Sequence, residues 1–400
     1  MKNSRVCFHW QENDFQSRFH TGISLHSHTL HSRESMDFIG SATANTPWLS
    51  GAIRKQTEEY RAQKGRDVDL SRAWWTPPLS ALQAWKVEKS QIERTLGLRA
   101  HVSLTDHDNI DAGLHLRLLE EPRDSPVSVE WTVPWRQTFF HLGLHNLPFD
   151  QAPGIMRELA GLTADPVEIR IGEMLDYLHS RIETLIVFNH PLWDEGHIGT
   201  ASHRAYLNSF LTRFRPFIHA LELNGLRPWK ENRDVLLLAG AESFPVISGG
   251  DRHGREPNAC INLTNAATFA EFAEEVRRDG WSDVLFMPVY REPIQLRIMQ
   301  NLCDILEDDP GHSLGWTKWS DRVFYRTDEG VEKSLNELWG KNFPSVVNRF
   351  VSLMSLARHS HIQWVVRFAL TRASAAAGDP VLDVETALEA PSRGNCSVTV

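Results

Sequence analysis

Long apolar runs are missing from this 400-residue sequence; the longest stretches, such as 235–239, are a handful of residues. A membrane helix needs roughly 18, so no membrane partner is expected. The opening Met-Lys-Asn-Ser-Arg leads into polar sequence with no signal-peptide core, which sets the expectation of a cytoplasmic location. Cysteine is scarce. Cys7, Cys260, Cys303 and Cys396 stand far apart with no CxxC spacing, which excludes a thiolate cluster and reads as reduced thiols. Positive charge is in deficit: 42 Lys and Arg against 51 Asp and Glu leave −9, too acidic for avid, nonspecific duplex binding. A local basic pocket stays compatible with that balance. No internal repeat is present, and 41% hydrophobic with 23% charged residues is ordinary globular composition.

Histidine is what the chain has in excess. There are 19, and all but His312, His359 and His361 precede residue 254. Over the first 290 residues short β-rich runs alternate with helical patterns, the signature of an α/β architecture. Strands are expected at 22–26, 100–104, 127–133, 138–144, 184–188, 218–223 and 245–248, with flanking strands at 259–263 and 284–288. Helices are expected at 109–119, 166–182, 202–214 and 228–239. Only 134–137 separates the third and fourth strands, too little for a parallel crossover, so that pair should be a hairpin. The sum is an irregular seven-stranded β/α barrel over 1–290. A long insertion at about 40–98 follows the first strand; it carries Trp48, Trp74, Trp75 and Trp85 and a helical stretch at 78–96. Residues 291–377 read as a helical extension and 378–400 as a disordered tail.

Polar, ligand-capable residues end six of these runs. His26 and His28 share one face of a strand by their i, i+2 spacing. Thr105-Asp106-His107-Asp108 follows the second strand, with His107 as the candidate ligand, Asp106 as the acceptor that fixes its tautomer, and Asp108 or Asn109 as a helix cap. Glu130 interrupts an apolar strand, which is costly unless the carboxylate is paired or binds metal; His141 stands eleven residues on, with His145 as its competitor. His190 in Asn189-His190-Pro191, Glu222 in a later strand, and Asp251 with His253 after Gly249-Gly250 complete the set. Strand ends on one rim are where such barrels build their sites, and the joint reading is a multinuclear metal centre.

The order and wording of these clusters resemble the PHP (polymerase and histidinol phosphatase) family. The match comprises His-Ser-His-Thr at 26–29, Thr-Asp-His-Asp at 105–108, Glu130 followed by His141, Asn-His-Pro at 189–191 and Gly-Asp-Arg-His at 250–253. The resemblance implies a distorted seven-stranded β/α barrel holding two or three divalent ions, with His26, His28, His107, Glu130, His141, His190, Asp251 and His253 as ligands. Where the family carries a further ligand after its first motif, this sequence has Leu30-His31-Ser32-Arg33-Glu34-Ser35; Glu34 is the preferred candidate and His31 the second.

Imidazoles and carboxylates without thiolates suit Zn, Mn or Fe. The expected activity is hydrolysis of a phosphate ester, a small phosphorylated metabolite or nucleotide, with Glu130 bridging ions, Asp251 orienting a hydroxide and a histidine such as His253 assisting the leaving oxygen. Arg33, Arg252 and Arg227 or Lys230 are the candidate phosphate grips, and Glu222 is expected behind the ligands. Cyclic nucleotides or short oligonucleotides are the alternative substrates, amide hydrolysis a rival chemistry, and a metal-stabilised interaction module the non-enzymatic rival. The helical C-terminal region is the expected surface for a homo-oligomer.

Overall fold

The computed structural model describes residues 4–36 except 13, 69–340 and 343–357, with isolated positions between 51 and 65, at 362 and at 398–399. Fifteen strands occur in these residues: β1 Ser4–Phe8, β2 Thr21–Leu25, β3 Glu34–Ser35, β4 Ala73–Trp75, β5 Arg99–Ser103, β6 Val129–Trp135, β7 Thr138–His145, β8 Leu185–Phe188, β9 Ala220–Asn224, β10 Val246–Gly249, β11 Cys260–Thr264, β12 Ser282–Phe286, β13 Val323–Arg326, β14 Glu332–Ser334 and β15 Val398–Thr399. The α-helices are α1 Ala81–Gln91, α2 Asp111–Arg117, α3 Ala152–Ala164, α4 Glu168–His179, α5 Thr200–Phe214, α6 Trp229–Glu242, α7 Phe269–Asp279, α8 Ile294–Ile305, α9 Leu335–Trp339 and α10 Ser345–Ala357.

The fold is mixed α/β. Two larger sheets, ordered β15-β1-β12-β11-β2-β5 and β10-β9-β8-β7-β6, remain open, so the ladders of the described residues form no closed barrel. Their edges nevertheless meet at one end. Isolated parallel bridges join Ser27 to Arg252 and His107 to Glu130, just beyond the carboxyl ends of β2, β10 and β5. Asp251 N–H donates to His26 O at 2.7 Å, and Glu130 N–H to Asp106 O at 3.2 Å.

Local chemistry explains the strands. Leu185-Ile186-Val187-Phe188 is apolar throughout and buried throughout, as a strand covered on both faces must be. It pairs parallel with β9, and α5 supplies the crossover that parallel pairing requires. β6 and β7 form the expected antiparallel hairpin, turning through Arg136 at a φ of 59°. Alternation along β6 sends Val129, Trp131 and Val133 into the main core, where Trp131 Nε1 donates to Thr163 Oγ1 of α3 at 3.0 Å. Glu130 therefore faces the opposite way.

Several features differ from the sequence expectation. β1 is a buried strand of the first sheet, although its five residues are too short a run to stand out among polar neighbours. Helices α3 and α7 fall outside the expected helices, and the C-terminal region is not purely helical. There, β13 and β14 join β4 of the insertion and β3 in a third sheet, ordered β14-β13-β4-β3. Its cross-strand packing rests on aromatics, with Trp74 stacked on Phe324 at 5.6 Å. Trp48, Trp364, Phe368, Cys396 and most of 378–400 lie outside the described residues. The other three cysteines are buried. Among the described residues no helix is long and apolar enough to cross a membrane.

Candidate metal centre

Strands and strand ends of the two larger sheets, with β3 of the third sheet supplying Glu34, bring nine side chains to one place: His26, His28, Glu34, His107, Glu130, His141, His190, Asp251 and His253. Three of them sit where the backbone turns left-handed on leaving its strand, His26 at φ 61°, His190 at 26° and Asp251 at 53°. Such conformations are costly outside glycine and tend to persist where the surroundings over-determine them. The pairing of His26 with His28 thus has a different cause from the one expected: β2 ends at Leu25, and the turn at His26 rather than a shared strand face aims both rings.

Glu130 is the hub. Its Oε2 lies 3.0 Å from His26 Nε2, 3.3 Å from His28 Nε2 and 3.4 Å from His107 Nδ1. Its Oε1 lies 3.2 Å from His190 Nε2 and 3.6 Å from His141 Nδ1, and accepts from Asn189 Nδ2 at 2.9 Å. Around Glu34, Oε2 is 3.4 Å from His107 Nε2 and 3.1 Å from His253 Nε2, while Oε1 is 3.5 Å from His28 Nδ1. Asp251 Oδ1 stands 3.7, 3.6 and 3.6 Å from His26, His28 and His253 nitrogens.

Most of these separations are too long for charge-assisted hydrogen bonds, which close to about 2.7–2.9 Å. They match the edge, about 3.4 Å, of a tetrahedron of N and O ligands bound at roughly 2.0–2.2 Å. His28 Nε2 reinforces the point, being a buried nitrogen without a hydrogen-bond partner that faces Glu130 and Asp251. The donor set therefore fits divalent metal. Four overlapping groups could each hold an ion: His26, His28 and Glu130; His28, Glu34, His107 and His253; His107, Glu130 and His141; and His141, His190 and Glu195.

Residues behind the donors fix them. Glu222 Oε1 lies 2.5 Å from His26 Nδ1, leaving Nε2 toward Glu130, and Glu222 Oε2 accepts from the His190 N–H at 2.7 Å. A Cβ on Gly249, the last residue of β10, would collide with this carboxylate, which is why glycine stands there. Ser32 Oγ donates to Glu34 Oε1 at 2.5 Å. Charge within the cluster is strongly coupled. Burial opposes ionisation of His26, but Glu130 and Glu222 hold its pKa well above the usual value. Burial likewise opposes charge on His107, which Glu34 and Glu130 raise. His253 and His190 are raised against burial by Glu34 and Glu130 respectively. Burial and the His253 charge push His28 down to about 3. Although burial works the other way, surrounding imidazoles keep Glu34, Glu130 and Asp251 well below the carboxylate range.

Other expected residues are placed differently. His31 turns away and meets His115 at 3.2 Å, so Glu34 is the one of the pair at the cluster. His145 is buried against Ser103 Oγ at 2.7 Å and belongs to none of the four donor groups. Asp106 does not orient His107; its oxygens accept from Thr29 N–H at 2.5 Å and Thr29 Oγ1 at 2.8 Å, holding the loop after β2. Asp108 caps no helix but accepts from Thr132 N–H of β6 at 2.9 Å, while Asn109 Oδ1 accepts from Asp111 N–H at the start of α2. Arg252 is buried on Glu88 at 2.9 Å and cannot reach a substrate, and Arg33 pairs on the surface with Glu332 at 3.1 Å. Lys230 is exposed. Arg227 alone of these cations faces the centre, with Nη2 3.7 Å from Asp251 Oδ2 and its guanidinium 3.6 Å from the Trp193 ring centroid. Glu195 stands outside the expected set; its only sequence signal is an acidic residue in the loop after Asn189-His190-Pro191.

No protein-family model matches the chain, and no curated protein sequence does. Among solved structures it is similar to PsfC from Pseudomonas syringae, at 12% identity and a TM-score of 0.32, over 76% of this chain and 98% of that one. It is similar to an amidohydrolase from Chromobacterium violaceum at 14% and 0.29, over 44% and 83%. A candidate metal-dependent phosphoesterase from Bifidobacterium adolescentis is similar at 13% and 0.31, over 64% and 96%.

Proposed function

We propose that this chain is a PHP-like metal-dependent phosphoesterase that hydrolyses a small phosphorylated metabolite or nucleotide at a centre of two or three Zn, Mn or Fe ions. The observation that carries the reading is Glu130: one buried carboxylate faces five imidazoles, three on one oxygen and two on the other, at ligand-edge spacing. In the same reading β2, β5, β6, β7, β8, β9 and β10 make a distorted seven-stranded barrel, supported by the Ser27–Arg252 and His107–Glu130 bridges between the open sheets.

Metal bound here would polarise a phosphate and supply hydroxide near neutral pH. The protein's own part is to aim the donors, as Glu222 does for His26 by engaging Nδ1 and turning Nε2 toward Glu130, the nitrogen that would bind metal. Arg227 grips a phosphate oxygen, its guanidinium set over the Trp193 ring and beside Asp251. Self-association through the C-terminal region belongs to this proposal, as Leu353 and Leu356 of α10 are 46% and 50% exposed.

The test is release of phosphate from a panel of phosphomonoesters, cyclic nucleotides and short oligonucleotides by metal-reconstituted protein. Monoester turnover lost with chelator supports the reading; cleavage of amides with no phosphate ester consumed would replace it with another hydrolase chemistry.

A further inference from the structure

We infer that Glu195 is a metal ligand, carried by the loop between β8 and α5, which joins His141 and His190 in holding a divalent ion. This inference rests on the metal-centre reading above and extends it to a residue outside the motifs that suggested it. His141 and His190 meet nearly edge to face, with ring centroids 5.3 Å apart at 89°, and both address Glu130 Oε1. Glu195 Oε2 approaches the same His141 Nδ1 to 3.4 Å, the ligand-edge spacing found elsewhere in the centre.

The loop is built to hold this carboxylate. Asp194 accepts from the N–H groups of Ile198 at 3.1 Å and Gly199 at 2.7 Å, closing the turn around Glu195. His203 Nε2 of α5 meets Pro191 O at 3.0 Å, and Trp193 is pinned under Arg227. Gly196 lies so close to Thr138 of β7 that a Cβ there would strike Thr138 Oγ1, so the loop is seated against the hairpin that bears His141. Three protein ligands leave a metal position open to water. Glu195 thus supplies the anionic donor for the ion at His141 and His190, and ties its affinity to the loop that also positions Arg227.

The experiment uses the full chain stripped with chelator and titrated with Zn²⁺, reading bound zinc per chain by elemental analysis and affinity by competition with a chromogenic chelator. Glu195→Gln keeps shape and removes the anionic donor from a side chain that is a third exposed. It should lose one ion per chain, or bind that ion about ten-fold or more weakly. His141→Gln should lose the same ion, and the double variant should lose no more than His141→Gln alone. Zinc uptake by Glu195→Gln equal to wild type in number and affinity, while His141→Gln is impaired, overturns this inference and leaves the metal centre standing. A wild-type chain that takes up no zinc overturns both.

Discussion

Arg252 Nε donates to Glu88 Oε1 across 2.9 Å, and both side chains are buried. Glu88 lies on α1 of the insertion and also accepts from Ser24 Oγ at 2.9 Å and from Asn258 N–H. Arg252 adds a bond to Gly254 O at 2.6 Å. One helix of the insertion therefore clamps the loop carrying His26 and His28 to the loop carrying Asp251 and His253. Trp75, from the same insertion, packs 5.7 Å from the His253 ring, so the insertion also walls the centre.

Breaking that clamp on one side strands a buried charge. Glu88→Gln should destabilise the chain by about 3–5 kcal/mol in urea unfolding. Arg33→Ala, which removes an exposed pair, should cost about 0–1 kcal/mol. Equal stabilities for the two variants would contradict the bracing role.

Arg227→Met should lower kcat/KM on the phosphate ester by roughly ten- to hundred-fold, matching the about 1.5–3 kcal/mol of a charge-assisted hydrogen bond. The fold and bound metal should be unchanged. Arg33→Ala should leave kinetics at the wild-type level, because its guanidinium is engaged by Glu332 and lies over Trp74. The opposite ranking would move the phosphate grip to the third sheet.

Glu34→Gln should lower the metal content per chain, since His28, His107 and His253 all face that carboxylate. His31→Ala should leave it unchanged. Elemental analysis of both variants reads the difference directly, and a loss confined to His31→Ala would reverse the assignment.

The pH dependence has a definite sign. His26, His107, His190 and His253 are raised in the folded chain, chiefly by Glu130 and Glu34 against the opposing effect of burial. In chelated protein their stabilisation is full below the unfolded histidine pKa of about 6.5 and is lost as pH rises through the higher folded values. The depressed Glu34, Glu130 and Asp251 stabilise above the ordinary carboxylate range and lose that contribution in acid. The Tm contribution of the cluster should thus fall on raising pH above about 6.5 in chelator. Metal must displace those protons, so affinity should rise over the same range and uptake should release protons. Pronounced weakening of metal affinity on going alkaline, before hydroxide precipitates the ion, would contradict this.

The sequence shows most of the donors because they end or interrupt an apolar strand and few core positions tolerate a charge, so Glu130 stands out among the valines and tryptophans of β6 by composition alone. The cause of their convergence is less legible. His26 and Asp251 depend on left-handed turns, which nothing in a His-Ser-His or Gly-Asp-Arg string requires. Arg252 reads as a phosphate grip because it neighbours Asp251, yet its partner Glu88 is 164 positions away in a helix whose other charged residues are solvated. Glu195 escapes for a similar reason, as the packing on Thr138 and the His203 contact to Pro191 that seat its loop come from β7 and α5. The third sheet escapes because its strands are two to four residues long and β4 finds its partner β13 only 248 positions on, Trp75 opposite Val323.

The most direct measurement is elemental analysis of the purified full chain after reconstitution with Zn²⁺ or Mn²⁺, run beside a phosphomonoester assay with and without chelator. Two to three ions per chain, with phosphate release that stops in chelator and is absent in Glu130→Gln, is the predicted result. A chain that binds no metal after reconstitution, or a Glu130→Gln variant with wild-type metal content and turnover, would contradict the central claim.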